Sequence, residues 1–419
     1  MPRYVIKGGV PLRGTVRVSG AKNAVLPMLA STILNPHPCE IRGVPQLRDV
    51  EVMIGLLRAL GVKVDGPDAG GVVRVNAGSL DTHEVDERLT REMRSSIFLM
   101  GPLLGRMGRV KIAYPGGCAI GPRPIDFHLK GLEALGVNIK EQSGFIHAST
   151  RGMVGGDIHL DFPSVGATEN IMMAAVLAKG TTVIRNAAKE PEIIDLQNFL
   201  NGMGARIKGA GMDTIRVEGV SLEDLKPVSH MVIPDRIEAG TFLAMVAATG
   251  GEVTLHNIIP EHVEAVVHKL REAGVQFQHA DDGLTVRATR RPTAVDFKTL
   301  PYPGFPTDMQ PQMMALMSIA DGTSIITETV FESRFAVAAE LRRMGGQIKT
   351  EGRTAVVKGV ERLSGATVTA SDLRSGVALV LAGLVATGCT VVEGVHHIQR
   401  GYELLDSKLR GLGARIELE

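Results

Sequence analysis

The chain has 419 residues, too many for one ordinary hydrophobic core, so its length predicts two domains. Its 46 Lys and Arg and 45 Asp and Glu leave a net charge of +1, which excludes a global field that would attract nucleic acid or an anionic membrane. Cys39, Cys118 and Cys389 are too few and too scattered for a disulfide framework or a zinc site. With no signal peptide and no apolar run long enough to span a membrane, we expect a cytoplasmic protein.

A short sequence phrase recurs along the chain. It consists of two helical turns of apolar residues, a glycine and then an alternating strand, and its glycines are 68 to 75 residues apart. The marker glycines are Gly61, Gly136, Gly204, Gly274, Gly345 and Gly413. Glycine at these positions ends a helix and allows the left-handed turn into the next strand. A fixed period of this kind predicts repeated structural units.

The third copy shows the order of elements within one unit. Residues 157–160 alternate as a strand, and Ser164 is placed to cap a helix that runs towards Gly180. Residues 181–184 are β-branched and predict a second strand. Pro191 opens a second helix that ends at the marker glycine, and a hairpin follows. The predicted fold class is therefore α/β, with six β-α-β-α-β-β repeats.

The two ends of the chain suggest how the repeats form domains. The sixth unit stops after one strand, residues 414–418, and residues 3–6 could supply its missing partner. We therefore predict one three-repeat domain at 22–229, and a second at 1–21 plus 230–419. Cys39 and Cys389 lie in apolar, strand-like contexts, which predicts that both are in the core.

The segment Pro115–Pro124 is the strongest candidate for a functional loop. It holds Cys118 among three glycines and three prolines, five residues before Arg123. Glycine and proline at this density predict an exposed loop, and a nearby guanidinium favours the thiolate form of a cysteine. The alternative is a surface loop with an incidental cysteine, but glycine neighbours offer little packing for a buried thiol.

A set of cations lies near predicted helix starts or in apolar contexts. Its members are Lys22, Arg94, Arg123, Arg334, Arg374 and Arg400. Most Lys and Arg side chains are simply solvated, and every helix needs a polar cap. Each position alone is therefore weak evidence of a functional role. Guanidinium groups and helix N-termini are nevertheless the groups that bind phosphates and carboxylates. The set therefore favours an anionic ligand.

Short motifs spread over almost the whole chain share one resemblance. They are Ser19–Asn23, Met93–Arg94, the Cys118 loop, Arg123–Asp126, Ser164–Thr168, Phe305–Gln310, Phe331–Phe335 and Asp372–Arg374. In this order they resemble the signatures of the UDP-N-acetylglucosamine 1-carboxyvinyltransferase family of enolpyruvyl transferases. The resemblance implies two pseudo-threefold domains, an inside-out α/β barrel architecture with helices inside and sheets outside.

The same resemblance implies an enzyme activity. Members of the family transfer the enolpyruvyl group of phosphoenolpyruvate to the 3′-hydroxyl of UDP-N-acetylglucosamine, release phosphate, and so begin peptidoglycan synthesis. We expect these two substrates as partners, no cofactor or metal, and no nucleic acid, membrane or obligate protein partner. The alternatives are an enolpyruvyl transferase of the same fold that uses shikimate 3-phosphate, or a non-catalytic regulator that binds nucleotide sugars.

Residue roles also follow from the resemblance alone. Cys118 would protonate C3 of phosphoenolpyruvate or add to C2, and Asp308 would take the proton of the sugar hydroxyl. Lys22, Arg123 and Arg400 would bind the phosphate, while Arg334 and Arg374 would contact the carboxylate or brace the closed site. The remaining substrate-binding positions are Asn23, Arg94, Pro124, Ile125, Asp126, Phe127, Ser164, Val165, Gly166, Thr307, Val330 and Asp372. A reactive Cys118 would also make the protein a target of fosfomycin.

Overall fold

The structure is a computed structural model and describes residues 2–116 and 125–419. Its strands are β1 (Tyr4–Lys7), β2 (Leu12–Arg17), β3 (Cys39–Arg42), β4 (Lys63–Asp65), β5 (Val73–Asn76), β6 (Arg109–Ala113), β7 (Asn138–Gln142), β8 (Phe145–Ser149), β9 (Asp157–His159), β10 (Thr181–Arg185), β11 (Arg206–Lys208), β12 (Thr214–Glu218), β13 (Val228–Met231), β14 (Gly251–His256), β15 (Gln276–Ala280), β16 (Gly283–Ala288), β17 (Phe297–Lys298), β18 (Thr323–Thr327), β19 (Gln347–Glu351), β20 (Thr354–Lys358), β21 (Thr367–Thr369), β22 (Cys389–Glu393) and β23 (Arg415–Leu418).

The α-helices alternate with these strands. They are α1 (Lys22–Ser31), α2 (Arg48–Ala59), α3 (Glu87–Glu92), α4 (Met100–Met107), α5 (Asp126–Ala134), α6 (Val165–Ala175), α7 (Pro191–Gly202), α8 (Arg236–Thr249), α9 (Glu264–Glu272), α10 (Gln310–Met317), α11 (Val337–Arg343), α12 (Leu373–Val385), α13 (Val395–Ile398) and α14 (Leu405–Gly411). Within residues 2–116 and 125–419, no helix has both the length and the apolar character needed to cross a membrane.

Contacts divide the described chain into two compact units. The amino-terminal unit contains residues 20–116 and 125–233, and the carboxyl-terminal unit contains residues 2–19 and 234–419. Each unit has its own cluster of buried apolar side chains. Strand β13 pairs with β3 of the amino-terminal unit, so strand pairing continues a few residues past the boundary at 229 expected from the sequence.

The sheets share one strand order. In the described residues, five four-stranded sheets combine one parallel pair with two antiparallel pairs, in the orders β9-β10-β12-β11, β13-β3-β5-β4, β2-β14-β16-β15, β17-β18-β20-β19 and β21-β22-β1-β23. The sixth, β6-β8-β7, has three strands and a parallel bridge from Glu84 to Lys111. Strand β1 lies between β22 and β23, with Ile6 opposite both Thr390 and Ile416.

The most buried helices of the carboxyl-terminal unit are α8, α10 and α12. They pack against one another, and nearly every side chain of α8 from Ile237 to Ala247 is buried. A helix that is apolar on all sides must lie inside a core. The amino-terminal unit places α1, α4 and α6 in the same way. Both units therefore have buried helices in their cores.

The marker glycines behave as the sequence predicted. All six adopt positive φ, from 85° at Gly61 to 112° at Gly204, and each lies two residues before the first residue of the strand that follows a helix. The helix after Ser164 is shorter than expected, because α6 ends at Ala175 and a turn continues to residue 180. Ser164 caps it as predicted, since its Oγ accepts a hydrogen bond from the Ala167 N–H at 3.3 Å.

One core prediction is wrong. Cys39 is buried, but Cys389 is exposed. Cys389 is the first residue of β22, where the alternation of the strand turns Thr390 and Val392 inward and Cys389 outward.

Candidate active site

In the carboxyl-terminal unit, the Asp308 carboxylate is held by two arginines. Asp308 lies on a 3-10 helix, Thr307–Met309, that leads into α10. Arg334 donates from Nη2 to Oδ1 at 2.7 Å, and Arg374 donates from Nη2 to Oδ2 at 3.0 Å. The side chain of Asp308 is 28% exposed, but those of Arg334 and Arg374 are only 2% and 4% exposed. A ligand can therefore reach the carboxylate, while two buried cations fix its orientation.

Each arginine also has a buried Nε–H donor that makes no hydrogen bond within the described residues. The Nε atoms of Arg334 and Arg374 have no hydrogen-bond partner among residues 2–116 and 125–419. A buried N–H without a partner is costly, so such donors usually serve a ligand or water. Burial alone would lower the pKa of Arg374, but interactions with Tyr402 and Asp308 raise it above the ordinary value, so the guanidinium stays charged.

Asp372 organises the start of α12, where Arg374 lies. Its Oδ1 accepts hydrogen bonds from the backbone N–H of Arg374 at 2.9 Å and of Ser375 at 3.1 Å, and its Oδ2 accepts one from the Ser375 hydroxyl. Asp372 is therefore the N-cap of this helix. The cap fixes the backbone from which Arg374 reaches Asp308. Arg400 lies half-buried two residues before Tyr402, in the segment that follows α13.

A second buried carboxylate, Glu328, connects the loops around Asp308. Its Oε2 accepts from the Thr307 hydroxyl at 2.9 Å. Its Oε1 accepts from the Thr299 hydroxyl at 2.7 Å and from the backbone N–H of Val330 at 2.8 Å and of Phe331 at 3.2 Å. Glu328 is only 1% exposed. Two predicted binding residues, Thr307 and Val330, are therefore hydrogen-bonded to the same carboxylate.

In the amino-terminal unit, Lys22 is a buried cation with a buried partner. Lys22 is the first residue of α1, and its Nζ lies 2.5 Å from Oδ2 of Asp49 on α2. The two side chains are 9% and 4% exposed. A buried ammonium needs a partner, and Asp49 supplies one. Asn23 follows Lys22 and is half-buried.

The other predicted residues of this unit are at helix starts. Arg94 begins a 3-10 helix that ends at Leu99, and Ser164 caps α6, with Val165 and Gly166 in its first turn. A Cβ at Gly166 would come within 3.1 Å of the His128 ring, so glycine allows this close approach. Ile125 is buried and precedes α5, whose first two residues are Asp126 and Phe127. Cys118, Arg123 and Pro124 lie outside the described residues.

Sequence reasoning missed a buried carboxyl on α6. Glu169 is fully buried, and burial, followed by the nearby charges of Glu192 and Glu190, raises its pKa well above the ordinary value. The sequence also gave no reason to single out Asp49 or Tyr402. Glu328 had one signal, its place two residues before Val330, but nothing in the sequence showed that it is buried.

Comparison with known proteins places these residues in a family. A family model described as EPSP synthase (3-phosphoshikimate 1-carboxyvinyltransferase) matches residues 6–409. The chain belongs to this family of carboxyvinyltransferases. The match covers residues of both units, including those of the Asp308 cluster and the Lys22–Asp49 pair.

Relatives of high identity carry a more specific name. A protein of Symbiobacterium thermophilum is 63% identical over 418 residues, covering 99% of this chain and 94% of its own, and is named UDP-N-acetylglucosamine 1-carboxyvinyltransferase 1. A protein of the same name from Caldanaerobacter subterraneus is 53% identical over 414 residues, covering 99% of each chain.

Solved structures of the family have the same fold. The enolpyruvyl transferase NikO from Streptomyces tendae aligns with a TM-score of 0.89 at 26% identity, covering 100% of this chain and 98% of its own. EPSP synthase from Acinetobacter baumannii aligns with a TM-score of 0.77 at 18% identity over the full length of both chains. The second similarity concerns the fold alone.

Proposed function

We propose that this chain transfers the enolpyruvyl group of phosphoenolpyruvate to the 3′-hydroxyl of UDP-N-acetylglucosamine and releases phosphate. The observation that carries the proposal is the Asp308 carboxylate, which two buried arginines orient while each has an Nε–H with no partner among the described residues. This arrangement offers a proton acceptor beside receptors for an anion. The names of relatives with identities up to 63% support the choice of acceptor.

The reaction proceeds by addition and elimination. The sugar hydroxyl oxygen attacks C2 of phosphoenolpyruvate and C3 gains a proton, which gives a tetrahedral ketal. The ketal then loses phosphate and a C3 proton, and the enol ether of the product remains. Asp308 takes the hydroxyl proton, and Cys118 supplies the proton at C3 or adds to C2. Cations stabilise the charge that develops on phosphate and carboxylate.

Each cation has a proposed task. The Nε–H groups of Arg334 and Arg374, which no described residue accepts from, are donors for the carboxylate of phosphoenolpyruvate. Lys22, which Asp49 holds in a buried position, binds its phosphate together with Arg123 and Arg400.

The remaining residues are proposed to bind the nucleotide sugar. Asn23 and Asp308 orient the sugar, and Thr307 and Val330 stay in place through Glu328. The N-terminus of α6 carries free N–H groups and partial positive charge, which suits a diphosphate. The other positions proposed for the uridine and diphosphate are Arg123, Pro124, Ile125, Asp126, Phe127, Ser164, Val165 and Gly166. Arg94 is proposed as a further substrate-binding residue, and Asp372 as a second acidic residue near the reacting centre.

The proposal extends to architecture and cellular role. The shared strand order of the sheets supports six β-α-β-α-β-β repeats in two pseudo-threefold domains. The transfer would be the first committed step of peptidoglycan synthesis, in the cytoplasm, and would serve cell shape and division. A reactive Cys118 would make the enzyme a target of fosfomycin and a carrier of covalent pyruvate adducts.

Phosphate release tests the function directly. Phosphoenolpyruvate is supplied with either UDP-N-acetylglucosamine or shikimate 3-phosphate, and we expect release with the first acceptor only. Release only when shikimate 3-phosphate is the acceptor would show that the chain is the shikimate 3-phosphate type of enolpyruvyl transferase. No release with either acceptor would favour the non-catalytic regulator.

A matched pair of variants links the activity to the site. Asp308→Asn should lower kcat by about 100-fold or more, since general base catalysis contributes about that much. Asp281→Asn, at an exposed hairpin tip of the same unit, should leave kcat unchanged. An equal kcat for the two variants would show that Asp308 has no catalytic role.

A further inference from the structure

The hydroxyl of Tyr402 is the centre of a buried polar network that the reaction scheme does not use. Tyr402 lies between α13 and α14 and is 2% exposed. Its oxygen lies 3.1 Å from Nη1 of Arg374, 3.3 Å from Nε2 of Gln312 and 3.0 Å from Oγ1 of Thr241. These three partners come from the three central helices, α12, α10 and α8.

The hydrogen bonds around Thr241 favour one direction for this network. Thr241 has a single hydroxyl hydrogen, which it donates to the carbonyl oxygen of Ile237 at 2.7 Å. With that hydrogen used, its Oγ1 accepts from Nε2 of Gln312 at 3.1 Å and can also accept from Tyr402. Arginine can only donate, so the Tyr402 oxygen accepts from Arg374 and donates to Thr241. Burial, ahead of all other causes, raises the pKa of Tyr402, so the phenol keeps the proton that this arrangement requires.

The network determines how the Arg374 guanidinium is turned. Its Nη1 is bonded to Tyr402 and its Nη2 to Asp308, which fixes the plane of the group. The guanidinium carbon also lies 5.5 Å from the centre of the Tyr402 ring. With both ends held, Nε–H has a single direction, and among the described residues nothing accepts its hydrogen bond.

We propose that Tyr402 is a positioning residue for the transfer reaction: its hydroxyl holds Arg374 so that Nη2 binds Asp308 and Nε–H remains available to the carboxylate of phosphoenolpyruvate. This inference rests on the proposed function for the identity of the substrate. Thr241 and Gln312 contribute by holding Tyr402. A purely structural hydroxyl would affect stability but would not affect the binding of one substrate more than the other.

The test compares two buried tyrosines of the same unit. Tyr402→Phe removes the hydroxyl and keeps the ring, while Tyr4→Phe is the matched control, since Tyr4 is also 2% exposed and lies in β1. For Tyr402→Phe we expect kcat/KM for phosphoenolpyruvate to fall about 10-fold or more, because the lost bond involves a charged group. The KM for UDP-N-acetylglucosamine should change less than about twofold, and Tyr4→Phe should keep wild-type kinetics.

Two further variants keep the test decisive if Tyr402→Phe does not fold. Thr241→Val removes the acceptor of the Tyr402 hydrogen and should lower kcat/KM for phosphoenolpyruvate in the same way, while Thr241→Ser keeps a hydroxyl and should restore it. In the double variant Tyr402→Phe/Thr241→Val, the losses should not add, because both act through Arg374.

Calorimetric titration with phosphoenolpyruvate separates this inference from the proposed function, because it requires no turnover. We expect Tyr402→Phe to bind phosphoenolpyruvate about 10-fold more weakly than the wild type, at equal thermal midpoints for Tyr402→Phe and Tyr4→Phe. Wild-type binding and kinetics in a folded Tyr402→Phe protein would overturn the positioning role. A wild-type protein that binds phosphoenolpyruvate but transfers nothing to UDP-N-acetylglucosamine would instead refute the proposed acceptor.

Discussion

At the scale of single residues, the motifs identified cations but not the groups that hold them. Lys22, Arg334 and Arg374 were all predicted as site residues, and all three are buried. Their partners Asp49, Asp308 and Tyr402 are 26 to 66 residues away in the chain. Only Asp308 among these partners belongs to a recognisable motif. The sequence therefore proposed these cations as site residues, whereas the contacts that orient them required the fold.

Thiol reactivity is a residue-scale prediction that uses the corrected position of Cys389. Burial raises the pKa of Cys39 to about 12, so at pH 8 only about one Cys39 in ten thousand is thiolate, and the side chain is also shielded. Cys389 is exposed. We predict that iodoacetamide at pH 8 labels Cys389 in the folded protein and leaves Cys39 unmodified, as measured by mass spectrometry of peptides.

Fosfomycin should select differently among the same thiols. Because it resembles phosphoenolpyruvate, it should alkylate Cys118 and spare the exposed Cys389, which has no comparable anion site in the proposal. Unfolding the protein in guanidinium chloride provides the control, since all three thiols should then react alike with iodoacetamide. Equal labelling of Cys118 and Cys389 by fosfomycin would show that accessibility alone governs reactivity.

At the scale of elements, the repeated phrase predicted much of the local structure. The marker glycines have the expected left-handed backbone, and Ser164 caps α6 as predicted. These features are local, since each depends on residues within one helix turn or one strand. The exact end of α6 and the outward side of Cys389 were not predictable in this way, because they depend on packing and strand register.

Gly411 and Gly413 allow the cost of that left-handed turn to be measured. Gly413 has φ of 91°, whereas Gly411 is the last residue of α14, and a Cβ at either position would meet nothing within 4 Å. The two sites therefore differ in backbone conformation rather than in space. Gly413→Ala should lower the free energy of unfolding by about 1–2 kcal/mol, and Gly411→Ala should leave it unchanged or raise it by up to about 1 kcal/mol. Urea unfolding of both variants measures the difference, and equal effects would contradict this account of the repeat.

Glu328 provides the second prediction at this scale, because it connects three loops. In Glu328→Gln one carboxylate oxygen becomes an amide nitrogen, which cannot accept the hydrogen bonds that Glu328 receives at both oxygens. We predict a loss of about 1–3 kcal/mol in stability and a higher KM for UDP-N-acetylglucosamine, since Thr307 and Val330 lose their common anchor.

The control for Glu328 lies four residues further along the same segment. Glu332 pairs with Arg353 and its side chain is 63% exposed, so Glu332→Gln should change neither stability nor KM appreciably. If the two variants have the same KM, the buried anchor does not position the binding residues.

At the scale of the whole molecule, the carboxyl-terminal unit is built from both ends of the chain. Residues 2–19 belong with residues 234–419, and β1 occupies an interior place in a sheet whose other strands come from the carboxyl-terminal end. The unmatched final strand of the sixth repeat pointed to this exchange from sequence alone. Its register, with Ile6 opposite Ile416, needed the structure because alternating strands of this length can pair in more than one register.

This arrangement predicts how the protein can be divided. Residues 20–233 contain whole sheets and their own core, so they should fold when expressed alone. Residues 234–419 alone should not fold, because without β1 the strands β22 and β23 lose the neighbour that joins them. Adding residues 2–19 after Glu419 through a short turn should restore folding, since the backbones of Arg3 and Glu419 already exchange hydrogen bonds of 2.9 and 3.0 Å, as at the end of a hairpin. Circular dichroism and thermal unfolding of the three fragments measure the outcome. A cooperative transition in residues 234–419 without the added segment would show that β1 is dispensable and that the two units are not divided as the contacts indicate.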